Sequence, residues 1–384
     1  MPVKCSGFDA LSGFYVELSF GRTIEAVDTP ITAPGAGRWL APGFIDIQVN
    51  GFRGVDFCAP GATLNEIAMA IDAILATGTT RFFPTVITGQ PETMIGSIRM
   101  LTKARKELAR GRAMEGLHIE GPHISPNDGP RGAHPKDAVR PPSIEEFELW
   151  QEAAEGSIKI VTLAAEWEGA PAYIEHITGR GVVAAIGHMD ATEAQIDAAV
   201  KAGATLSTHL GNGSNASLPR HPNYLWKQLA EDRLAASLIV DGIHLGASFL
   251  NVAVRAKGLE RVVAITDAVA PAGCEPGPYN LGEVDVILHE GGKVTLTDGQ
   301  RLAGSSLHMD RGVENLMRIC GLTLAEAVAL ATRNPARVGR VAGRQRGLAA
   351  GERADIVEFD YDRDAKRIAV RRTWLDGELV YETA

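Results

Sequence analysis

Four ionisable side chains close apolar runs in this chain: Glu120 in "GLHIEGP", His188 in "IGHMDAT", His209 in "THLGN" and Asp267 in "AITDAVAP". Two histidines and a glutamate are a known ligand set for a catalytic divalent metal, and they leave a coordination position for water. A lone buried histidine is more often a core or hydrogen-bonding residue. Three such residues, each ending a different β-rich run, point together to a metal. Asp267 follows a nearly uninterrupted apolar stretch, where an unpartnered carboxylate is expensive to bury. A helix cap or a turn is the plain alternative for it. A metal lowers the pKa of its bound water towards ~7, and a carboxylate within reach can take the proton. That chemistry is hydrolysis of a carbonyl or phosphoryl bond.

The run "APGFIDIQVNG" raises a separate question. Gln48 and Asn50 alternate along it and so share a face. Hydrolases often place two histidines at such a strand end, and an amide offers a metal only a neutral carbonyl oxygen.

These residues need elements that bring them together. Eight β-rich runs follow one another from Phe44: "FIDIQVNG", "TRFFPTVIT", "MEGLHIEGP", "IKIVTLAAE", "VVAAIGH", "ATLSTHLGN", "AASLIVDGIH" and "RVVAITDAV". Between them lie segments of helical period, such as Leu64, Ile67, Ile71 and Leu75. Several open with a capping pattern: Thr63 with Glu66, Ser143 with Glu146, Thr192 with Gln195. The alternation predicts an α/β fold, a (β/α)8 TIM-type barrel over residues 44–344, with an open doubly wound sheet as the alternative. A barrel gathers its C-terminal strand ends into one mouth, where the residues above converge. Residues 1–43 and 345–384 read as short strands and turns. They are expected to pair into a small β-sandwich domain formed by the N- and C-terminal segments. The Pro/Gly-rich stretch "PHISPNDGPRGAHPKDAVRPP" is a loop of a length that is often functional.

Composition narrows the partners. The chain has 384 residues, 45% hydrophobic and 22% charged, which suits a soluble globular protein. A formal charge of -9 argues against a nucleic-acid binder, which needs a basic surface. Cys5, Cys58, Cys274 and Cys320 have no metal-like spacing and read as reduced thiols. No apolar run reaches the roughly 18 residues of a membrane span. The amino-terminal "MPVKCSGFDA" lacks an apolar signal region. A cytoplasmic protein with neither nucleic-acid nor membrane partners is expected.

In order along nearly the whole chain, "LAPGFIDIQVNG", "GLHIEGP", "RGAHP", "IGHMDAT", "THLGN", "VDGIHL", "ITDAVAPAG", "LAGSSLHMDRGVENL" and "ATRNPAR" resemble the N-acetylglucosamine-6-phosphate deacetylases of the amidohydrolase superfamily. The resemblance implies a barrel with a small β domain from both termini, usually in a homodimer. It implies hydrolysis of the acetamide of N-acetylglucosamine-6-phosphate to glucosamine-6-phosphate and acetate. It assigns Glu120, His188 and His209 to one divalent metal, with zinc the first expectation and iron also accepted by such a set. Asp267 becomes the general base and then acid. His134, with Ala133 alongside, would hydrogen-bond the substrate and polarise its carbonyl. Asn212, the backbone of Gly213, Asp241 to His244, and Leu302, Ala303 and Gly304 would contact the sugar. Arg220 and His244 would take the phosphate, a guanidinium matching phosphate oxygens well. Two-metal relatives carry His-x-His where this chain has Gln48 and Asn50, so those are vacated second-metal positions.

The loop "THLGNGSNASLPRHPN" departs from the more usual "THLFNAM…HREPG". This border of the sugar and phosphate sites keeps two alternatives open: N-acetylgalactosamine-6-phosphate, or an unphosphorylated N-acetyl sugar. A third alternative, a non-catalytic amidohydrolase-like scaffold, draws on the two missing histidines. Retention of Glu120, His188, His209 and Asp267 together counts against it. His118 stands two residues before Glu120 and fits a supporting role or a core role equally. His176, His289 and His308 are placed in helical or tail segments with no role.

Overall fold

The computed structural model describes residues 2–383 apart from Ala33, Pro34, Ala36, Pro60, Gly282, Glu283, Asp298 and Gln300. Eight parallel strands follow each other in chain order: Phe44–Val49, Thr79–Ile87, Leu117–Glu120, Ile158–Leu163, Val183–Ile186, Leu206–Ser207, Ala235–Ile239 and Val262–Ile265. They are the eight expected runs, and the sheet closes rather than staying open. Beyond the eighth strand, Asn50 N donates to Ala268 O at 2.7 Å and Asp267 N donates to Gln48 O at 3.1 Å. Both faces of these strands are covered, which is why they read as near-continuous apolar runs.

A bulge aims the first strand. Ile45 and Ile47 pack with Phe83, Ile160, Val183, Ala185, Leu206, Val263 and Ile265, drawn from around the barrel. Asp46 pairs with Phe82 and Val49 with Pro84, so the first strand carries one extra residue between them. An extra residue switches which face the following side chains take. Gln48 and Asn50 thereby turn towards Asp267, while Asp46 meets Thr266.

The helices start where the capping patterns place them. Thr63 and Thr192 form full capping boxes with Glu66 and Gln195, and the Ser143 side chain accepts from Glu146 N. From Thr323, "TLAEAVALATRNPARVGR" reads in the sequence as one helix but folds as two, Leu324–Ala331 and Arg333–Val338. Pro335 has no N–H for the carbonyl four residues earlier, and Thr332 Oγ1 turns back to Val328 O, so the helix breaks there.

Both termini join one seven-stranded sheet that uses Val3–Asp9, Tyr15–Phe20, Ile24–Asp28 and Trp39–Pro42 with Ile356–Asp362, Arg367–Leu375 and Glu378–Glu382. The sheet folds over itself: Thr23 bridges Arg353, and the Phe20 and Trp374 rings meet edge to face at 5.9 Å. Its two flaps share a core of Cys5, Val16, Leu18, Phe20, Ile24, Leu40, Ile356 and Trp374.

A four-stranded antiparallel sheet, Gly277–Leu281, Val284–Leu288, Lys293–Leu296 and Leu302–Ser305, follows the eighth barrel strand. It was not anticipated from the sequence. Its tight turn uses Gly291 and Gly292, both at positive φ, as a hairpin requires. His289 therefore lies beside a hairpin turn and His308 caps the helix Met309–Ile319, which corrects their placement in helical or tail segments. No helix among the described residues is long and apolar enough to cross a membrane.

Candidate active site

Three of the chemistry-bearing residues sit in strained backbone where strands leave the barrel. His188, His209 and Asp267 have φ of 49°, 28° and 51°. Such left-handed conformations cost on the order of 1–3 kcal/mol each in a non-glycine residue and concentrate at functional sites. Gly121, which follows Glu120, has φ 85°, and a Cβ there would stand 2.1 Å from Thr88 Oγ1.

The side chains converge on Glu120. Its Oε1 lies 2.8 Å from His209 Nε2 and 3.4 Å from His188 Nε2. Donor atoms bound about 2.0–2.1 Å from one tetrahedral zinc are about 3.3 Å apart, so this spacing fits a metal between them. His188 Nδ1 meets the carbonyl oxygen of Pro130 at 2.7 Å, which leaves Nε2 with its lone pair facing Glu120. Gly213 presses on the same ring, and a Cβ there would come within 2.6 Å of His188 Nδ1. His134 stacks edge-on to His188, with centroids 4.4 Å apart. Glu120, His134 and His188 also bring ligand atoms within 4.8 Å of one another. The site thus offers two candidates, His209 and His134, for the third ligand.

Gln48 and Asn50 serve the carboxylates. Gln48 Nε2 donates to Glu120 Oε1 at 3.0 Å and to Asp267 Oδ1 at 3.1 Å, and Asn50 Nδ2 donates to Asp267 Oδ1 at 2.7 Å. Gln48, Asn50 and Glu120 are buried and Asp267 half-buried, and electrostatics separates the two acids. Burial alone would raise the Glu120 carboxyl, but the His188 and His209 imidazoles beside it hold it well below the usual range. Asp267 is pushed up to about 6 by burial and by the Glu120 charge. Burial also drives His134 down to about 3, so its ring is neutral.

The remaining expected residues divide. Asn212 Nδ2 donates back to His209 O at 3.3 Å, beside Gly213. His244 Nδ1 is 2.6 Å from Asp241 Oδ2, whose other oxygen accepts from the backbone of Ile243 and His244. This pair follows the seventh barrel strand, Ala235–Ile239. Leu302, Ala303 and Gly304 lead into Ser305, whose N–H reaches Asp267 O at 3.4 Å. Ala133 is exposed next to the buried His134. Arg220 is exposed, and its side chain makes no hydrogen bond or ion pair among the described residues, so the structure does not bring it into the cluster. His118 has both ring nitrogens occupied, by Ile47 O at 3.0 Å and Thr162 Oγ1 at 2.8 Å, and is a core residue.

Sequence reasoning missed three groups: Thr88, the Pro130 carbonyl and Asp46. Asp46 accepts from Thr266 Oγ1, from Thr266 N at 3.3 Å and from Gln48 N at 3.2 Å. Burial pushes its carboxyl up to about 7, only partly offset by those bonds. A carboxyl raised above its ordinary ~3.9 contributes stability that is full below about pH 4 and is lost as pH rises through about 7, here roughly 4 kcal/mol. In urea titrations of the metal-free protein, Asp46→Asn is expected to flatten the decline between pH 4 and 7. An unchanged slope would mean that another group holds the buried proton.

A model of the amidohydrolase family matches residues 39–380. The chain is similar to an N-acetylglucosamine-6-phosphate deacetylase of Bacillus subtilis (strain 168), 33% identical over 348 residues, which span 90% of this chain and 86% of that protein. It is also similar to an N-acetylgalactosamine-6-phosphate deacetylase of Escherichia coli O157:H7, 32% identical over 358 residues, 93% of this chain and 91% of that one. Among solved structures, a mutant N-acetyl-D-glucosamine-6-phosphate deacetylase from Mycobacterium smegmatis, in complex with N-acetyl-D-glucosamine-6-phosphate, superposes with a TM-score of 0.85 at 33% identity. The match covers 95% of this chain and 94% of that one. Barrel, strand-end cluster and relatives agree, and the chain belongs to the amidohydrolase family.

Proposed function

We propose that this enzyme hydrolyses the acetamide of N-acetylglucosamine-6-phosphate to glucosamine-6-phosphate and acetate. The observation that carries this reading is the gathering of Glu120, His188, His209 and Asp267 at one barrel mouth, in a chain with these deacetylase relatives. Glu120, His188 and His209 would hold a divalent cation, zinc by preference, which when bound would supply Lewis acidity and lower the pKa of a water there towards ~7. In this reading Asp267 takes the water's proton as the carbonyl carbon is attacked, then returns it to the leaving nitrogen. His134 donates to the carbonyl oxygen as charge develops there. Gln48 and Asn50 orient Glu120 and Asp267, a use that fits one metal better than two.

Asn212, Gly213, the Asp241–His244 pair and residues 302–304 line the sugar, with Ala133 beside the acetyl group. Arg220 and His244 take the phosphate. The exposed position of Arg220 suits an arginine that completes its site in a homodimer. Free cysteines suit a cytoplasmic setting. The Escherichia coli relative favours a second reading, the 4-epimeric N-acetylgalactosamine-6-phosphate.

The test is acetate release from both sugars, each with and without the 6-phosphate, before and after chelation. N-acetylglucosamine-6-phosphate is expected to turn over fastest, with activity lost on chelation and restored by one equivalent of zinc. Arg220→Ala is expected to raise KM about tenfold or more for phosphorylated sugars only, as loss of a charge-assisted contact does. Equal rates on plain and phosphorylated sugars would remove the phosphate role, and turnover that persists without metal would sink the mechanism.

A further inference from the structure

His134 borders two roles that need opposite things from one nitrogen. As a metal ligand its Nε2 must carry a lone pair, and as a donor to a carbonyl oxygen it must carry a proton. The partner of the other nitrogen decides which.

The neighbouring His188 gives the reference case. Its Nδ1 faces a backbone carbonyl, Pro130 O, which can only accept, so Nδ1 carries the proton and Nε2 is free to bind metal. His134 Nδ1 faces instead the hydroxyl of Thr88, with Nδ1 and Oγ1 2.8 Å apart. His134 is 6% exposed and Thr88 4%. The Thr88 hydroxyl has no other hydrogen-bond partner among the described residues. A buried hydroxyl proton left without an acceptor costs about 1–3 kcal/mol, so that proton goes to Nδ1. A ring this buried, whose Nδ1 partner is a neutral hydroxyl and not a carboxylate, stays neutral and carries its own proton on Nε2.

Thr88 is itself held in place. Arg140 Nη1 donates to the carbonyl of the next residue, Gly89, at 3.0 Å, and Arg140 Nε bonds both oxygens of Glu146 at 3.1 and 3.0 Å. Gly121 leaves open the space that any side chain would take from Thr88 Oγ1. The same Arg140 closes the loop that carries His134: its N–H donates to Pro122 O at 3.1 Å, and its carbonyl meets His123 Nδ1 at 3.2 Å.

We propose that Thr88 is a positioning residue that donates its hydroxyl proton to His134 Nδ1, fixes the Nε2–H tautomer, and so makes His134 a donor to the substrate carbonyl while His209 completes the metal set. The carbonyl part rests on the deacetylase reading; the tautomer does not. The two neighbouring rings thus present opposite chemistry to the mouth, a lone pair from His188 and an N–H from His134.

The test uses the full-length chain with 15N-labelled histidine, zinc-loaded and after chelation, with His134 assigned by His134→Gln. Wild type and Thr88→Ser should show His134 protonated on Nε2 in both states, and Thr88→Val should move that proton to Nδ1 or mix the tautomers. Kinetically, Thr88→Val should lower kcat about 10–100-fold with KM within about threefold, a usual size for supporting partners of a metal site. Thr88→Ser should stay within about threefold of wild type. Adding Thr88→Val to His134→Ala should cost nothing more, because the hydroxyl acts only through that ring. Thr88→Ala repeats the experiment if the valine variant fails to fold.

A wild-type His134 protonated on Nδ1, a tautomer unmoved by Thr88→Val, or additive losses in the double variant would each overturn the proposal. Full activity in His134→Ala would instead overturn the carbonyl role of His134, and the tautomer measurement would still decide the part played by Thr88.

Discussion

Asp267→Asn lowers kcat and kcat/KM by about 10²–10⁴-fold, the usual size of a lost general base, while zinc content stays at the wild-type level. The substitution is close to isosteric. Asp267 Oδ1 accepts from Asn50 at 2.7 Å and from Gln48 at 3.1 Å, and an asparagine carbonyl can accept the same two bonds. What disappears is an oxygen able to take a proton. The variant is also expected to be more stable in the metal-free state. Burial and the Glu120 charge hold the Asp267 carboxyl at about 6, above its ordinary value. Its contribution to stability is therefore full below about pH 4 and lost as pH rises through about 6, roughly 3 kcal/mol that the amide does not lose. Loss of activity with a gain in stability separates a missing base from a damaged fold.

The pH profile follows from the same group. The base works only when ionised, so kcat/KM falls about tenfold per unit on the acid side of the Asp267 pKa. A bound cation offsets the Glu120 charge and moves that limb below pH 6. Wild-type turnover surviving both Asp267→Asn and thorough chelation would end the proposed mechanism, whatever the relatives do.

The sequence carried the site at the level of strand ends and lost it at the level of contacts. Glu120, His188, His209 and Asp267 could be picked out because each closes an apolar run, and eight such runs imply a mouth where they meet. The spacing of Gln48 and Asn50 showed a shared face, but not the bulge between Asp46 and Val49 that turns this face inward. Thr88 and Pro130 act through one hydroxyl and one backbone carbonyl, residue types too common in loops to single out without coordinates. Asp46 differs from other buried carboxylates only by what surrounds it.

The four-stranded insertion was missed for another reason. Its strands of four or five residues follow the eighth barrel run, where the repeating alternation of strand and helix leads a reader to expect a helix. The missed break at Thr332 shows local chemistry overriding period: "TLAEAVALATRNPAR" keeps helical spacing, but Pro335 removes the bond that would carry the helix through.

Asp355→Ala should produce the converse result, a loss of about 3–5 kcal/mol in unfolding free energy with little change in kcat or KM, read from urea denaturation and steady-state kinetics. Asp355 stands just before the first carboxy-terminal strand of the seven-stranded sheet, and its carbonyl accepts from Gly43 N, the residue before the first barrel strand, at 2.8 Å. Its Oδ2 and Oδ1 take Arg81 Nε at 2.7 Å and Arg81 Nη2 at 3.0 Å, and Oδ2 also takes Arg344. Arg81 is 3% exposed, Arg344 2% and Asp355 1%. Removing the one carboxylate shared by two buried guanidiniums strands charge in the interior, and that desolvation, more than the lost attraction, sets the size of the effect.

Burial alone would raise the Asp355 carboxyl, but Arg344 and Arg81 outweigh it and hold the group at about 2. For a depressed carboxyl the sign is opposite to that of Asp46: the stability is present above about pH 4 and lost as pH falls through about 2, roughly 2–3 kcal/mol. Asp355→Ala should therefore be less stable than wild type at neutral pH and lose less on acidification. Asp376 also contacts Arg81 Nη2, at 2.6 Å, and wild-type stability in Asp355→Ala would show that this second acid can hold the guanidiniums alone. The network lies at the amino-terminal ends of the barrel strands and Glu120 at a carboxy-terminal end, so a large fall in kcat without a fall in stability would contradict the separation of a structural floor from a chemical mouth.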